Sequence, residues 1–194
     1  MPAASTNTAL KLDFFGTPRS DYQKAFDKYV TAPFLRATSV EVKGFIFDQY
    51  AAQKFSELLS KCTIKSISLE DCNIGSALLI KLGVGSCVSL QKLSLVRCSV
   101  NQASIGDLLS TITSASFEHL ELVSCNDRYD HSANPVALPI ERFSRLKYLR
   151  IHKLPKYKLD FKQLLISVQR MKVLEELHLA ECKLEDLAMY IFDS

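Results

Sequence analysis

Seven residues in the second half of the chain concentrate its side-chain chemistry: His119, Glu121, Tyr148, Arg150, His152, Glu176 and His178. They place imidazole, carboxylate, phenol and guanidinium groups at alternating positions, in sets that recur at intervals of 29 and 28 residues. Alternation puts residues i and i+2 on one face of a strand, so neighbouring strands would merge these sets into a single surface. Three histidines on such a surface raise metal binding first. Adjacent strands lie about 4.8 Å apart and alternate residues on a strand about 6.8 Å apart. His152 and His178 are then diagonal neighbours, while His119 stands two strands from His178. Ligand nitrogens must all come within about 2 Å of one zinc, so no metal site is expected.

Catalysis fares no better. Glu118, His119 and Ser124 have the types of a triad, but alternation sends Glu118 to the opposite face of the strand from His119. The chain has no Gly-rich phosphate loop, no GxSxG and no HExxH. Neither an enzyme nor a cofactor is expected. Recognition remains, because tyrosine and arginine give large, directional contacts at modest entropic cost and are enriched at binding hot spots.

The elements that must position these residues form a repeat. The spacing apolar-x-x-apolar-x-apolar-x-x-Cys-x-apolar reads Ile64-Ile67-Leu69-Cys72-Ile74, then Leu90-Leu93-Leu95-Cys98-Val100, and again Leu174-Leu177-Leu179-Cys182-Leu184. Looser copies are Phe117-Leu120-Leu122-Cys125 and Leu146-Leu149-Ile151-Leu154, and successive first positions are 26, 27, 29 and 28 residues apart. Each copy predicts a short strand with two inward side chains. The return legs read as helices: Ala51, Phe55, Leu58, Leu59 and Cys62 share a face behind the N-cap Asp48. Ile105, Leu108, Leu109 and Ile112 do so again, as do Phe161, Leu164, Leu165 and Val168. The fourth leg, Asn126 to Pro135, is polar, and Pro135 and Pro139 discourage a long helix, so a displayed loop is expected there.

Upstream, Val40, Val42, Phe45 and Phe47 keep the frame with Phe45 in the Cys slot, and Leu10, Leu12 and Phe15 fit once more. Tyr22, Ala25, Phe26 and Tyr29 then form a helical stripe after the N-cap candidate Ser20. Residues 1–9 are expected to be disordered, residues 10–36 to be a degenerate capping repeat, and residues 37–194 to hold about six repeats. At the other end Leu187, Ala188, Ile191 and Phe192 share a helical face with no polar unit after them. That helix is the lid, or the array is longer, or assembly occurs through an uncapped C-terminal end.

A period of 26 to 29 residues with this spacing resembles the leucine-rich repeat, over roughly residues 38 to 192. The paired cysteines, Cys62 with Cys72 and Cys87 with Cys98, resemble the cysteine-containing class of F-box substrate receptors. The repeat length and full helices resemble equally the ribonuclease-inhibitor class. The isoleucine-threonine-aspartate signature of the F-box type is missing after Cys72 and Cys98. The resemblance implies an α/β solenoid: a right-handed horseshoe with a parallel concave sheet and outer helices. It also implies a protein-protein interaction module, scaffold or adaptor that binds a protein partner through the concave face. The alternatives are a regulatory subunit, such as a ubiquitin-ligase substrate receptor or GTPase regulator, or a structural subunit of a large assembly. The favoured contact surface is centred on Tyr148, Arg150, His152 and His178.

Bulk properties bound the rest. With 194 residues and 47% hydrophobic content the chain can bury one substantial core. A net charge of +3 implies neither nucleic acid nor membrane. Charge is nonetheless segregated: ten basic residues and one acid, Asp160, lie between Arg142 and Lys172, with an acidic segment after them. Aromatic residues are sparse around those lysines, which argues against nucleic acid. No secretory signal is visible in MPAASTNTALKLD. Cys72, Cys98, Cys125 and Cys182 share one slot, so a column of reduced, buried thiols is expected rather than disulfides, with a cytoplasmic or nuclear location.

Overall fold

The computed structural model describes residues 8–30, 36–75, 82–100, 102–125, 137–153 and 160–181. The protein is α/β. Its strands β1 (Thr8–Asp13), β2 (Ala37–Lys43), β4 (Ser66–Glu70), β6 (Lys92–Val96), β7 (His119–Val123), β8 (Tyr148–His152) and β9 (Glu176–Ala180) form one seven-stranded parallel sheet, in chain order. Two short strands, β3 (Ile46–Phe47) and β5 (Asn73–Ile74), pair beside it. The described helices are α1 (Arg19–Val30), α2 (Gln49–Lys61), α3 (Gln102–Thr111) and α4 (Phe161–Arg170), with 3-10 turns at Val84–Ser86 and Ile140–Arg142.

Register follows the apolar spacing. Val40, Ile67, Leu93, Leu120, Leu149 and Leu177 stand opposite one another from β2 to β9, as do Val42, Leu69, Leu95, Leu122, Ile151 and Leu179. From Val40 to Ile151 all of these are fully buried. A one-residue slip would turn each of them to the other face, so burial itself locks the register. After each strand of the seven-stranded sheet from β2 onward one residue takes left-handed backbone: Gly44, Asp71, Arg97, Ser124, Lys153 and Glu181, with φ between 49° and 66°. Each kink residue donates its N–H to the next strand's last carbonyl, as in Gly44 to Glu70 (2.9 Å), Arg97 to Val123 (2.7 Å) and Lys153 to Ala180 (3.0 Å). It also turns the following residue inward, and that residue is Phe45, Cys72, Cys98 or Cys125, each buried.

Asp48 caps α2, its Oδ1 accepting from the Ala51 N–H at 2.8 Å. Asp160 does the same for α4 through the Gln163 N–H at 3.0 Å. The buried faces of α2 (Ala51, Phe55, Leu58, Leu59) and α3 (Ile105, Leu108, Leu109) join the sheet's inward residues in one core. Of the α4 stripe, Leu164 is buried and Val168 packs against that core. The helices thus cover one face of the sheet. Among the described residues no element packs on the other, and no helix is long and apolar enough to cross a membrane.

The first strand corrects the expected N-terminal boundary. Thr8 and Ala9 are not disordered but pair with Ala37 and Ser39, across an irregularity in register. Residues 1–7 lie outside the described residues. Phe15 does not occupy the Cys slot either. No left-handed residue follows β1 at that point, so simple alternation carries Leu10 and Leu12 on to Phe14, which is 3% exposed while Phe15 is 59% exposed. Phe14 packs against Tyr22 and Phe45, and the Phe15 ring lies over Gly44. Ser20 sits inside α1 rather than before it, because the helix starts at Arg19 behind Pro18, whose carbonyl accepts from the Asp21 N–H. The side chains of Ala25, Phe26 and Tyr29, the loop Asn126 to Pro135, Leu154, Cys182, and the stripe Leu187 to Phe192 lie outside those described.

Candidate functional site

The open face of the sheet is built from the residues between the inward ones. Register arranges them in rows that cross the strands. One row runs Ser39, Ser66, Lys92, His119, Tyr148, Glu176, and the next runs Glu41, Ser68, Ser94, Glu121, Arg150, His178. The seven residues singled out by spacing therefore do come together, on β7, β8 and β9. His119 and Tyr148 stack in parallel, with ring centroids 4.0 Å apart and planes 3° apart. His178 leans on the other side of Tyr148 at 5.3 Å and 40°. Tyr148 thus stands between two imidazoles and cannot swing freely. Beside this stack Arg150 Nη1 donates to Glu121 Oε1 at 3.0 Å, and Ser94 Oγ donates to Glu121 Oε2 at 2.7 Å. Glu121 is held from both sides, so Arg150 is fixed against the sheet with its side chain 41% exposed.

His152 points toward the last kink, where Nε2 meets Glu181 Oε1 at 3.1 Å and Lys153 Nζ meets Glu181 Oε2 at 3.2 Å. Its Nδ1 is buried and has no hydrogen-bond partner among the described residues. Glu176 Oε2 lies 3.1 Å from His178 Nε2. Two participants were not singled out by sequence, Ser94 and Glu181. Glu181 occupies the same post-strand slot as Asp71 and Arg97, so aligning the copies one residue further would have found it. Among the described residues no group of three or more His, Cys, Asp or Glu is placed to hold a metal. Glu118 faces away from the site and meets Arg145 and Lys147 at 3.4 and 3.5 Å. Those contacts neutralise part of the basic band, and exposed pairs of this kind add little stability.

At the far end of the face Glu70 is gripped by Lys43 (2.6 Å) and Arg97, while Arg97 also makes a two-pronged contact with Asp71 at 2.8 and 2.7 Å. Hydrogen bonding to Lys43 holds the Glu70 carboxyl below its ordinary range, and bonding to Arg97 does the same for Asp71. His119 is shifted the other way from a paired histidine. Burial first, then the charge of Lys92, push its pKa below the ordinary value of 6.5. The imidazole is consequently neutral at pH 7, which suits a close parallel stack on a phenol. In a proton NMR titration the His119 ring signals should move at lower pH than an unstructured histidine. Because the unfolded chain takes up the proton first, His119 contributes a loss of stability as pH falls below 6.5. A midpoint at or above 6.5 would contradict the placement of the ring.

The thiols form a column behind the kinks. The Cys72, Cys98 and Cys125 thiols donate to the carbonyls of Val42 (3.5 Å), Leu69 (3.3 Å) and Leu95 (3.2 Å) on the preceding strand. None of the five described cysteines is in a disulfide. Burial pushes Cys125 up to about 12 and Cys87 up to about 11. Contact with Cys72, together with burial, raises Cys98 as well. Only the thiolate attacks; a pKa near 12 leaves on the order of one thiolate in ten thousand at pH 8. Among the described cysteines, iodoacetamide at pH 8 should therefore label half-buried Cys62 first and spare Cys98 and Cys125 until the chain is unfolded. Peptide mass mapping of native and denatured samples reads this directly, and early labelling of Cys125 would contradict the column.

Compared with known proteins, the chain is matched by no family model and by no curated protein sequence.

Proposed function

We propose that this protein is a leucine-rich repeat solenoid, a right-handed α/β horseshoe, that works as a protein-binding scaffold or adaptor through the open face of its sheet. Support for the architecture comes from the 26- to 29-residue interval, the parallel strands in chain order and the left-handed residue after each strand of the large sheet from β2 to β9. The observation that carries the function is the parallel sheet face that no element covers among the described residues. Sheets of this kind are nearly always sheathed on both faces, whereas this one leaves a row of rings and charges in front of solvent. On that face Tyr148 and Arg150 are already held in place by His119, His178 and Glu121. Pre-organised side chains lose little entropy on docking, which is what separates a contact surface from a solvated one. Affinity purification of the chain with mass-spectrometric identification tests the reading, using a Tyr148→Ala/Arg150→Ala variant as the control. Proteins retained by the parent and lost by the variant are the expected result. An identical set from both would reject the face.

A further inference from the structure

Among the described residues the cations of the open face each meet a carboxylate, with a single exception. Lys11 pairs with Glu41 at 3.3 Å, Lys43 and Arg97 with Glu70, Arg150 with Glu121, and Lys153 with Glu181. Lys92 has no carboxylate within salt-bridge distance among the described residues, although it stands in the middle strand of the sheet. Its neighbours in the row are Ser66 and His119, and neither offers a negative charge. His119 is neutral and its partner Tyr148 lies one strand further on. Lys92 is half-buried as a residue.

This placement constrains a docked molecule. Lys92 is two strands, about 10 Å, from Tyr148, so a surface of ordinary interface size seated on the Tyr148 stack covers Lys92 as well. Covering an unpaired ammonium without supplying an anion costs binding energy, because a buried charge needs a partner. The nearby carboxylate Glu121 is not available, being held by Ser94 and Arg150. We infer that the partner presents an acidic peptide segment, with an Asp or Glu carboxylate on Lys92 and an apolar or aromatic side chain on the Tyr148 stack. An extended chain covers about 3.3 Å per residue, which sets the two anchors about two to four positions apart.

The inference rests on the reading of the open face as a protein-binding surface, and the experiment separates the two. Phage-displayed random 16-residue peptides are selected on the parent chain, on Lys92→Glu, on Tyr148→Ala/Arg150→Ala and on Lys65→Glu. The last makes the same charge change at an exposed position just before β4. Melting temperatures check that each variant is folded. We expect peptides from the parent to carry Asp or Glu two to four positions from an apolar or aromatic residue. Synthetic copies should bind Lys92→Glu at least tenfold more weakly and Lys65→Glu with unchanged affinity, and replacing the acid by its amide should match the loss at Lys92. Peptides without such an acid that still depend on Tyr148 and Arg150 would overturn the acidic partner while leaving the face intact. Peptides indifferent to both variants, or no selected peptides at all, would overturn both.

Discussion

Leu95→Ala lowers the stability of the folded chain by about 2–5 kcal/mol, the range for removing a leucine from a packed core. Leu95 has no exposed surface and stands between Leu69 and Leu122, which are equally buried. It cannot be replaced by collapse of its neighbours, because both are pinned by strand pairing on each side. The backbone around it is committed too, since the Leu95 carbonyl accepts the Cys125 thiol at 3.2 Å. The cavity therefore stays open, and its cost falls toward the upper part of the range. For a chain of this size each kcal/mol corresponds to about 2–4 °C in melting temperature, so calorimetry should show a fall of several degrees at the least. Val88→Ala is the control: Val88 is apolar, two residues ahead of Leu90, the first apolar slot of the same repeat, and 74% exposed, and its loss should leave the melting temperature unchanged. Equal melting for Leu95→Ala and the parent would mean that the inward row has been misplaced.

The rows of the sheet were legible because burial and alternation impose one periodicity, and a 26- to 29-residue interval then sets which residues stand side by side. That is why the sequence alone places His119, Tyr148 and Glu176 in one row. Two kinds of feature escaped. The first is local backbone geometry: Phe14 and Phe15 are adjacent and chemically identical, so only the absence of a kink after β1 decides which of them is buried. The second is side-chain conformation across the open face. Register brings His119 beside Tyr148, but a parallel stack at 4.0 Å depends on the rotamers of both rings and on the neutral state of the imidazole. The Ser94–Glu121–Arg150 chain is of the same kind. A serine in the middle of a strand carries no signal that it will be 3% exposed beneath a carboxylate.

On the proposed reading of the open face, Tyr148→Ala/Arg150→Ala should weaken binding of a protein partner by about 2 kcal/mol or more, the threshold for a hot spot, or roughly thirtyfold in Kd. Each substitution removes more than its own contact. Without Tyr148 the two imidazoles lose the ring between them, so His119 and His178 become free to move and must be ordered again on docking. Without Arg150 the Glu121 carboxylate keeps only Ser94, and an interface would then bury a half-satisfied negative charge. Both effects oppose binding in the same direction. The comparison is Lys162→Ala/Arg170→Ala on α4, two exposed basic residues on the helix-covered side. Charges outside a contact act through long-range attraction, so that pair should slow association modestly and change its salt dependence while leaving dissociation alone. Surface plasmon resonance at two ionic strengths separates the cases. Fast dissociation for the Tyr148/Arg150 variant with an unchanged melting temperature places the contact on the open face. Losses confined to the α4 variant would move it to the helices.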